Sequence, residues 1–500
     1  MLSFNTVNTL RNQCLISLAL LSGFSSLNVA AESVPILKLP IERAVLMALE
    51  SNLSLQIQRL QPEIVLTFEQ LEAARFDTVL SADLSANETS QLQLSQATSS
   101  QFELEAESYS SSIGLTRTFS TGTTISAEIS DTSNSSNRTP DQQQVRVGLT
   151  LTQALLKGFG PEVNMAGIQQ ARIDTQISRY ELQGFAESLV GDVEQRYWDL
   201  VLALQKQQIF KQALEVAEQQ RDVVLKRIEV GLLAETERPS AEAEVARRYQ
   251  GLLEARFEAK RLRLQLIGFI TNGSEQDWIT IIEPSTMIGS SDYDSESVNE
   301  HIALAKQLRA ELKEAELRES RGDLEVVQTR NALLPKLDFF ISYGKSGYAD
   351  SFSNATKNID EDSFDASVGL SFQMPIGNRA AKSANKAATT SAEQMKLSLK
   401  NLLHLVQLDV RVAYSELQLA QQKIIAVAVT RKLHLEALRA ENEKFKVGRA
   451  TTVDVSLAQR DLLHVQLDEL DARIKLKKAA IRLYQLEGSL LKRRGLSVSG

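Results

Sequence analysis

The sequence predicts a mainly α-helical fold with membrane β-strands, built twice along the chain. Three observations support this prediction. A glycine-centred turn between long helical patterns occurs twice, two runs of about 70 residues lack internal proline, and several segments alternate apolar and polar residues. The first two observations are typical of long helical hairpins, and the third is typical of strands with one apolar face.

The second half of the chain repeats the first. Gly448 corresponds to Gly231 at a spacing of 217 residues (448 − 231). Near the start of each half the spacing is 257, as between Ala48 and Ala305, and at the strands it falls to 221. The first half is therefore longer by 36 residues (257 − 221) in its strand region. Such a repeat predicts one architecture made of two similar halves, residues 32–290 and 291–500.

The N-terminal residues 1–31 predict a secretory signal. Arg11 supplies the positive charge, Cys14 to Phe24 form a short apolar core, and small residues end at Ala31. Cys14 is the only cysteine, so we expect no disulfide and no thiolate metal site in the mature chain. The formal net charge of −8 makes nucleic acid an unfavourable partner. No later apolar run reaches the length of a membrane-spanning helix, so any membrane crossing must use strands.

Each half begins with a helical pattern. We expect an extended segment at 34–40, followed by a helix at 41–76 with a break or kink at Pro62. Residues 298–334 form the corresponding helix of the second half. Both segments are rich in Ala, Leu, Glu, Gln and Arg, which favour helix.

Alternation of apolar and polar residues predicts strands within residues about 79–152 and about 336–374. Four segments share the alternation, and they begin at Leu80, Val145, Leu337 and Ala366. Such segments in a secreted protein are typical of transmembrane β-barrels, although a soluble sheet with one buried face has the same pattern. Further alternation around Gly122 predicts an added hairpin in the first half, and the sequence leaves open whether this hairpin joins or caps a barrel.

A long helical hairpin follows the strands in each half, at 161–273 and at 378–491. Glycine at the turn predicts a helix C-cap because it adopts φ > 0 without steric cost. Thr451, Thr452 and Asp454 open the last helix, and Thr or Asp at this place predicts its N-cap. That helix carries apolar rows on more than one side. This favours neighbours on both sides, as in a closed wall of helices, and a two-helix coiled coil is the alternative.

Catalytic motifs are absent from the sequence. It contains no HExxH, no GxSxG and no phosphate-binding glycine loop, so we expect neither enzyme activity nor a cofactor. His434 and His464 lie 14 residues before and 16 residues after Gly448 (448 − 434; 464 − 448), at similar heights of the hairpin. A tight metal site needs three or four ligands, so we expect an ordinary pair here and no metal.

Five short motifs follow one another along the chain: Gln153 to Gly158, Leu334 to Leu337, Gly369 to Ile376, Val447 to Gln459, and Leu483 to Gly488. Each motif is weak alone. Their order and duplication resemble the TolC-like outer-membrane efflux proteins over nearly the whole mature chain. The first half departs from that pattern at Thr78, where the family usually has proline. It also departs at Pro239, which lies inside the second helix of the first hairpin.

The resemblance implies a homotrimer in the cell outer membrane of a Gram-negative bacterium, spanning into the periplasm. Each protomer gives four strands to one shared 12-stranded β-barrel in the lipid, and the long helices form a periplasmic helical barrel. The implied function is a passive exit duct of a tripartite efflux or type I secretion system, for drugs, toxic solutes or secreted polypeptides. The implied partners are a periplasmic adaptor (membrane fusion) protein and an inner-membrane RND or ABC transporter. The alternative is a periplasmic coiled-coil adaptor or scaffold without a membrane barrel.

The resemblance also implies that the two turns dock the adaptor. The residues concerned are Gly231 and Leu232 in the first turn, and Gly448 and Arg449 in the second.

The same resemblance aligns Asp454 with an acidic residue that rings the pore entrance of the family, although a second family acid falls at Leu457 here. Arg449, Glu235 and Glu237 are further candidates for the entrance and its gating. The other role for Asp454 is stabilisation of a helix N-terminus through the helix dipole, and the two roles are compatible.

Overall fold

The computed structural model describes residues 36–94, 100–287, 289, 296–360 and 362–496. The expected signal at 1–31 and the expected junction of the halves near residue 290 lie outside the described residues.

The first half contains a helical segment, four long strands and a helical hairpin. Its helices are α1 (Ile41–Ser51), α2 (Leu53–Ala73), α3 (Pro161–Asn164), α4 (Ala166–Glu229), α5 (Arg238–Ile270) and α6 (Glu275–Ile279). Its strands are β1 (Ile36–Leu39), β2 (Val79–Leu94), β3 (Gln101–Thr118), β4 (Thr123–Ser136), β5 (Gln142–Ala154) and β6 (Ile281–Pro284).

The second half follows the same order with fewer strands. Its helices are α7 (Val298–Leu308), α8 (Ala310–Asn331), α9 (Phe352–Lys357), α10 (Arg379–Lys446), α11 (Thr452–Glu487) and α12 (Leu490–Arg493). Its strands are β7 (Lys336–Ala349) and β8 (Phe364–Gln373).

The first helical segment is broken at Asn52, so the predicted break at Pro62 is wrong. Pro62 is buried inside α2, which continues past it. Asn52 is extended (φ −69°, ψ 117°), its side chain accepts a hydrogen bond from the Leu55 amide (3.1 Å), and its amide group donates to the Phe269 carbonyl (3.0 Å). The break is therefore held by a capping bond and a tertiary contact, neither of which local propensity predicts.

The membrane-type sheet has six strands, whereas the family resemblance implied four per protomer. Its order is β2-β3-β4-β5-β7-β8, and all neighbours are antiparallel. The added hairpin is β3–β4, inserted between β2 and β5, so it is part of the sheet rather than a cap on it. The alternation that marks a strand is interrupted in β3 by the serine run at 110–112, which explains why the sequence pattern was weak there.

A second, two-stranded sheet joins the two ends of the first half, where β1 pairs in parallel with β6. The buried Tyr197 of α4 joins this sheet, because its hydroxyl donates to the Leu39 carbonyl (2.8 Å) and accepts from the Thr286 amide (3.1 Å). Apolar side chains of α1, α4, α5 and α11 pack around it as the largest core cluster.

The hairpins pair α4 with α5 and α10 with α11. At 64 residues for α4 and 68 for α10, the long helices are each roughly 100 Å long. The prediction that the last helix has neighbours on several sides is confirmed, since α11 packs on both α10 and α4. Glu469 interrupts one apolar row of α11 and is paired there with Arg431 (2.6 Å) and Arg473 (2.7 Å).

Pro239 departs from the expected family pattern without breaking its helix. It occupies the second residue of α5, within the first turn, where the missing amide hydrogen would have had no partner inside the helix.

Candidate functional site

The two glycine turns have the same backbone geometry. Gly231 has φ of 75° and Gly448 has φ of 73°, both in the left-handed region. The next residue closes each turn, because the Leu232 amide donates to the Arg227 carbonyl and the Arg449 amide donates to Lys444, each at 2.8 Å. This is the Schellman pattern of a helix C-terminus, and it explains why both turns require glycine.

The two turns lie side by side in one chain. Arg227 of the first hairpin stacks over the Phe445 ring of the second, 4.6 Å from its centroid, and donates to the Phe445 carbonyl (3.3 Å). Val224, Ala241 and Val455 complete a buried cluster with Phe445. Sequence reasoning missed this contact. The available signal was Phe445 itself, an aromatic residue between two lysines near a turn.

Of the predicted capping residues, Thr451 is the N-cap of α11, and Asp454 is its partner. The Thr451 hydroxyl accepts from the Asp454 amide (3.2 Å), and Asp454 Oδ2 accepts from the Thr451 amide (2.9 Å) and hydroxyl (2.7 Å). The two of these bonds that each join a backbone amide to the other residue's side chain form a capping box. The backbone and side-chain hydrogen bonds from Thr451 lower the pKa of Asp454 below its ordinary value, so this exposed carboxylate keeps its charge to lower pH.

The acids of the first turn are held differently. Glu235 and Glu237 lie in a single 3₁₀ turn before α5, whose N-terminus has no side-chain cap. Glu235 pairs with Arg238, whereas one carboxylate oxygen of Glu237 is buried with no hydrogen-bond partner among the described residues. Asp454 and Glu237 therefore occupy equivalent positions with different local partners.

The surface of the paired turns is apolar as well as charged. Leu232 is 74% exposed, Val447 is 70% exposed and Val230 is 67% exposed, and Arg449 is also exposed. Apolar side chains exposed together on a surface are typical of a site that binds a partner.

One face of the six-stranded sheet is apolar from edge to edge. On β8 this face carries Val368, Leu370 and Phe372, and their partners on β7 are Ile341, Phe339 and Leu337. The opposite face of β8 carries Ser367, Gly369 and Ser371. An apolar band on one face and small polar residues on the other are the pattern of a strand between lipid and an aqueous lumen.

A buried ionic network joins the C-terminal segment to both halves, and sequence reasoning missed it. Arg494 forms a bidentate pair with the fully buried Glu194 of α4 (2.6 and 2.7 Å), and Glu487 of α11 contacts His301 of α7 (2.8 Å). Because these residues are far apart in sequence, only the packing of α4, α7 and α11 brings them together.

Glu187 belongs to the same region. Its carboxylate accepts from the backbone amides of Leu490 and Leu491 at the start of α12. Burial raises the pKa of Glu187 to about 7, against the opposing effect of these two donors.

No helix in the described ranges is long and apolar enough to span a membrane. Within the same part of the chain, no three His, Cys, Asp or Glu side chains are grouped to hold a metal ion. His464 contacts Asp468 at 3.9 Å.

An apolar-faced antiparallel sheet joined to two long helical hairpins defines the class of outer-membrane channels with a helical conduit. The sequence matches the family described as outer membrane efflux protein over residues 119–270 and 301–489, more than half of the chain, and the protein belongs to this family. It is an outer-membrane efflux channel that extends into the periplasm, and its family is one of channels rather than enzymes.

Solved structures of channels have the same fold. The chain is similar to VceC of Vibrio cholerae (16% identity, 90% of this chain and 96% of that one, TM-score 0.66) and to the open state of MtrE of Neisseria gonorrhoeae (16%, 91% and 90%, 0.65). It is also similar to CmeC of Campylobacter jejuni (13%, 90% and 86%, 0.66). No protein of curated function has a significantly similar sequence.

Proposed function

We propose that this protein is the passive, trimeric exit duct of a tripartite efflux or type I secretion system. The observation that carries the proposal is the continuity of an apolar-faced sheet with two helical hairpins roughly 100 Å long. The alternative, a periplasmic adaptor or scaffold without a membrane barrel, does not account for such a sheet. The halves at 32–290 and 291–500 would each supply one hairpin per protomer to the conduit.

The membrane face can be tested at two adjacent residues of β8. Leu370 lies in the apolar band, and Ser371 lies on the opposite face. Leu370→Arg should impair trimer assembly in the outer membrane, because a charged side chain facing lipid costs about 2–4 kcal/mol near the midplane. Ser371→Arg is the matched control and should assemble with altered conductance. Equal tolerance of both changes, scored by unheated gel migration of outer-membrane fractions, would rule out the duct with this face assignment.

The paired turns are the proposed docking site for a periplasmic adaptor, which would link the duct to an inner-membrane RND or ABC transporter. Gly231 and Gly448 set the turn geometry, and Leu232 and Arg449 present the side chains. A photo-crosslinker at Leu232 or Arg449 should capture an adaptor in cells. The control position is Arg379, exposed at the opposite end of α10. Capture at Arg379 alone would contradict the assignment.

Asp454 is the proposed charge at the pore entrance, with Arg449, Glu235 and Glu237 beside it. Three copies around a threefold axis would favour cations in a confined mouth. Asp454→Asn should reduce cation selectivity and block by trivalent cations in planar bilayers, while trimers still assemble. Asp468→Asn removes an equal charge farther along α11 and should change neither property. Full selectivity in Asp454→Asn would leave Asp454 as a helix-capping residue only.

A further inference from the structure

The inserted hairpin β3–β4 changes how the membrane sheet can close. It lies in the middle of the sheet, with β2 on one side and β5 on the other, so the sheet cannot close without including it. The edges of the six-stranded sheet are therefore β2 and β8.

The hairpin carries the same apolar band as its neighbours. Ile113 of β3 lies opposite Ile129 of β4 and Ala82 of β2, and Leu115 lies opposite Ala127 and Leu80 in the neighbouring row. Ile113 is 59% exposed and Ile129 is 55% exposed, although both lie in the interior of the sheet. The neighbouring row is apolar on all six strands, and it consists of Leu80, Leu115, Ala127, Leu149, Tyr343 and Ala366. Exposed apolar residues in such a row fit contact with lipid.

The opposite face of the hairpin is polar and small, as on the other strands. Gly114 and Thr116 of β3 face Glu128 and Ser126 of β4. Both faces of β3–β4 thus match a wall between lipid and a water-filled lumen, rather than an extracellular cap.

The same lumen-side face is kept flat beyond the hairpin. Arg146 of β5 reaches across β7 to Asp365 of β8 with two hydrogen bonds of 2.9 and 2.7 Å. A side chain at Gly344, between them, would lie 2.6 Å from the Arg146 guanidinium. The glycine lets the arginine lie along the wall instead of projecting into the lumen.

Among the residues that the structure describes, β2 pairs only with β3 and β8 only with β7, so both edges of the sheet lack a partner there. Six antiparallel strands are an even number, so β2 and β8 run in opposite directions. Unpaired backbone groups are not tolerated in lipid, and only closure removes a sheet edge. A second copy of the chain supplies the complementary edge, with matching apolar residues on its outer face.

We propose that β8 of one protomer pairs antiparallel with β2 of the next, and that three copies of six strands close an 18-stranded barrel. This inference rests on the proposed trimer. Barrel diameter grows roughly linearly with strand number, so the pore is about 1.5 times as wide as that of a 12-stranded barrel. Barrels of 16 to 18 strands enclose an aqueous channel. The protein thus has a wider outer-membrane exit than four strands per protomer would give.

Disulfide trapping tests the subunit junction directly. Ala82→Cys on β2 is combined in turn with Val368→Cys, Leu370→Cys and Phe372→Cys on β8. Directly opposed residues of antiparallel strands have Cα atoms about 4.5–5.5 Å apart, which is within the range of a disulfide. At least one pair should yield covalently linked subunits on a non-reducing gel.

The matched control replaces Ala82→Cys with Ala127→Cys on β4, which is flanked by β3 and β5 in this structure. A four-stranded protomer with β2–β3 displaced would make β4 the edge. Crosslinks from Ala127→Cys, or none from Ala82→Cys, in trimers that still resist detergent would overturn the 18-stranded barrel and leave the duct intact. Loss of the trimer in the parent protein would instead overturn the proposed function.

Two arginine substitutions test the hairpin without any crosslink. Leu115→Arg should lower the yield of outer-membrane trimer by at least about tenfold, because Leu115 faces lipid. Thr116→Arg, on the lumen face, should assemble normally. Equal yields of the two variants would overturn the placement of β3–β4 in the barrel wall.

Discussion

The two halves of the chain share backbone geometry and differ in what their side chains contact. Asn52 and Arg309 break the first helix of each half at equivalent positions, with nearly the same ψ of 117° and 118°. Asn52 caps the next helix and binds the Phe269 carbonyl, whereas Arg309 pairs with Glu311 and Asp409. The repeated backbone geometry therefore tolerates different side chains, because each half meets different neighbours.

The membrane strands differ more strongly, with four in the first half and two in the second. An antiparallel hairpin can be inserted without disturbing the direction of its neighbours, since it returns the chain to the same side. The helical hairpins lack this freedom, because each long helix is packed against others along its length. The β3–β4 hairpin can therefore be accommodated in the sheet with little change to the packing of the long helices.

The largest expected effect is on stability, and it distinguishes Gly488 from Gly448, two glycines with a left-handed backbone conformation. At Gly488 a side chain would lie 2.9 Å from the Arg309 Cα and 3.0 Å from the Leu308 carbonyl oxygen, whereas the space around Gly448 is open. Gly488→Ala should cost about 2–4 kcal/mol from strain and overlap, and Gly448→Ala about 1–2 kcal/mol from strain alone. Thermal unfolding followed by circular dichroism measures both. Equal losses of stability in the two variants would show that the backbone at Arg309 moves to accommodate the new side chain.

The next effect concerns Glu187, whose counterpart in the second half is the exposed His404. The pKa of Glu187 is raised to about 7 in the folded protein, so folding favours its protonated form. Its stabilising contribution is present below pH 4.5 and is lost as pH rises through 7. The wild type should lose about 2–3 kcal/mol relative to Glu187→Gln between pH 4.5 and 8. If the free energy of unfolding changed with pH in parallel for the two proteins, the raised pKa of Glu187 would be contradicted.

The smallest effect compares the tyrosines at equivalent positions of α4 and α10. Tyr197→Phe leaves the Leu39 carbonyl and the Thr286 amide without the buried hydroxyl, and should cost about 1–2 kcal/mol. Tyr414 contacts the His301 ring through its own ring, at a centroid distance of 5.6 Å, so Tyr414→Phe should cost less than about 0.5 kcal/mol. Chemical denaturation of both variants checks the difference. A larger loss in Tyr414→Phe would reverse the comparison.

The sequence alone determined the duplicated fold, the long hairpins, the glycine turns and a capped start of the last helix. These features depend on local rules, because a glycine at φ > 0, a capping hydroxyl and apolar periodicity act over a few residues. Tertiary structure decided the break at Asn52, the Arg227–Phe445 contact and the buried pairs around Glu194 and Glu487. Each of these joins residues far apart in the chain, and its energy exists only once packing excludes water. The presence of six strands in the sheet was also decided by the tertiary structure. A serine-rich strand such as β3 shows its two faces only when neighbouring strands fix its register.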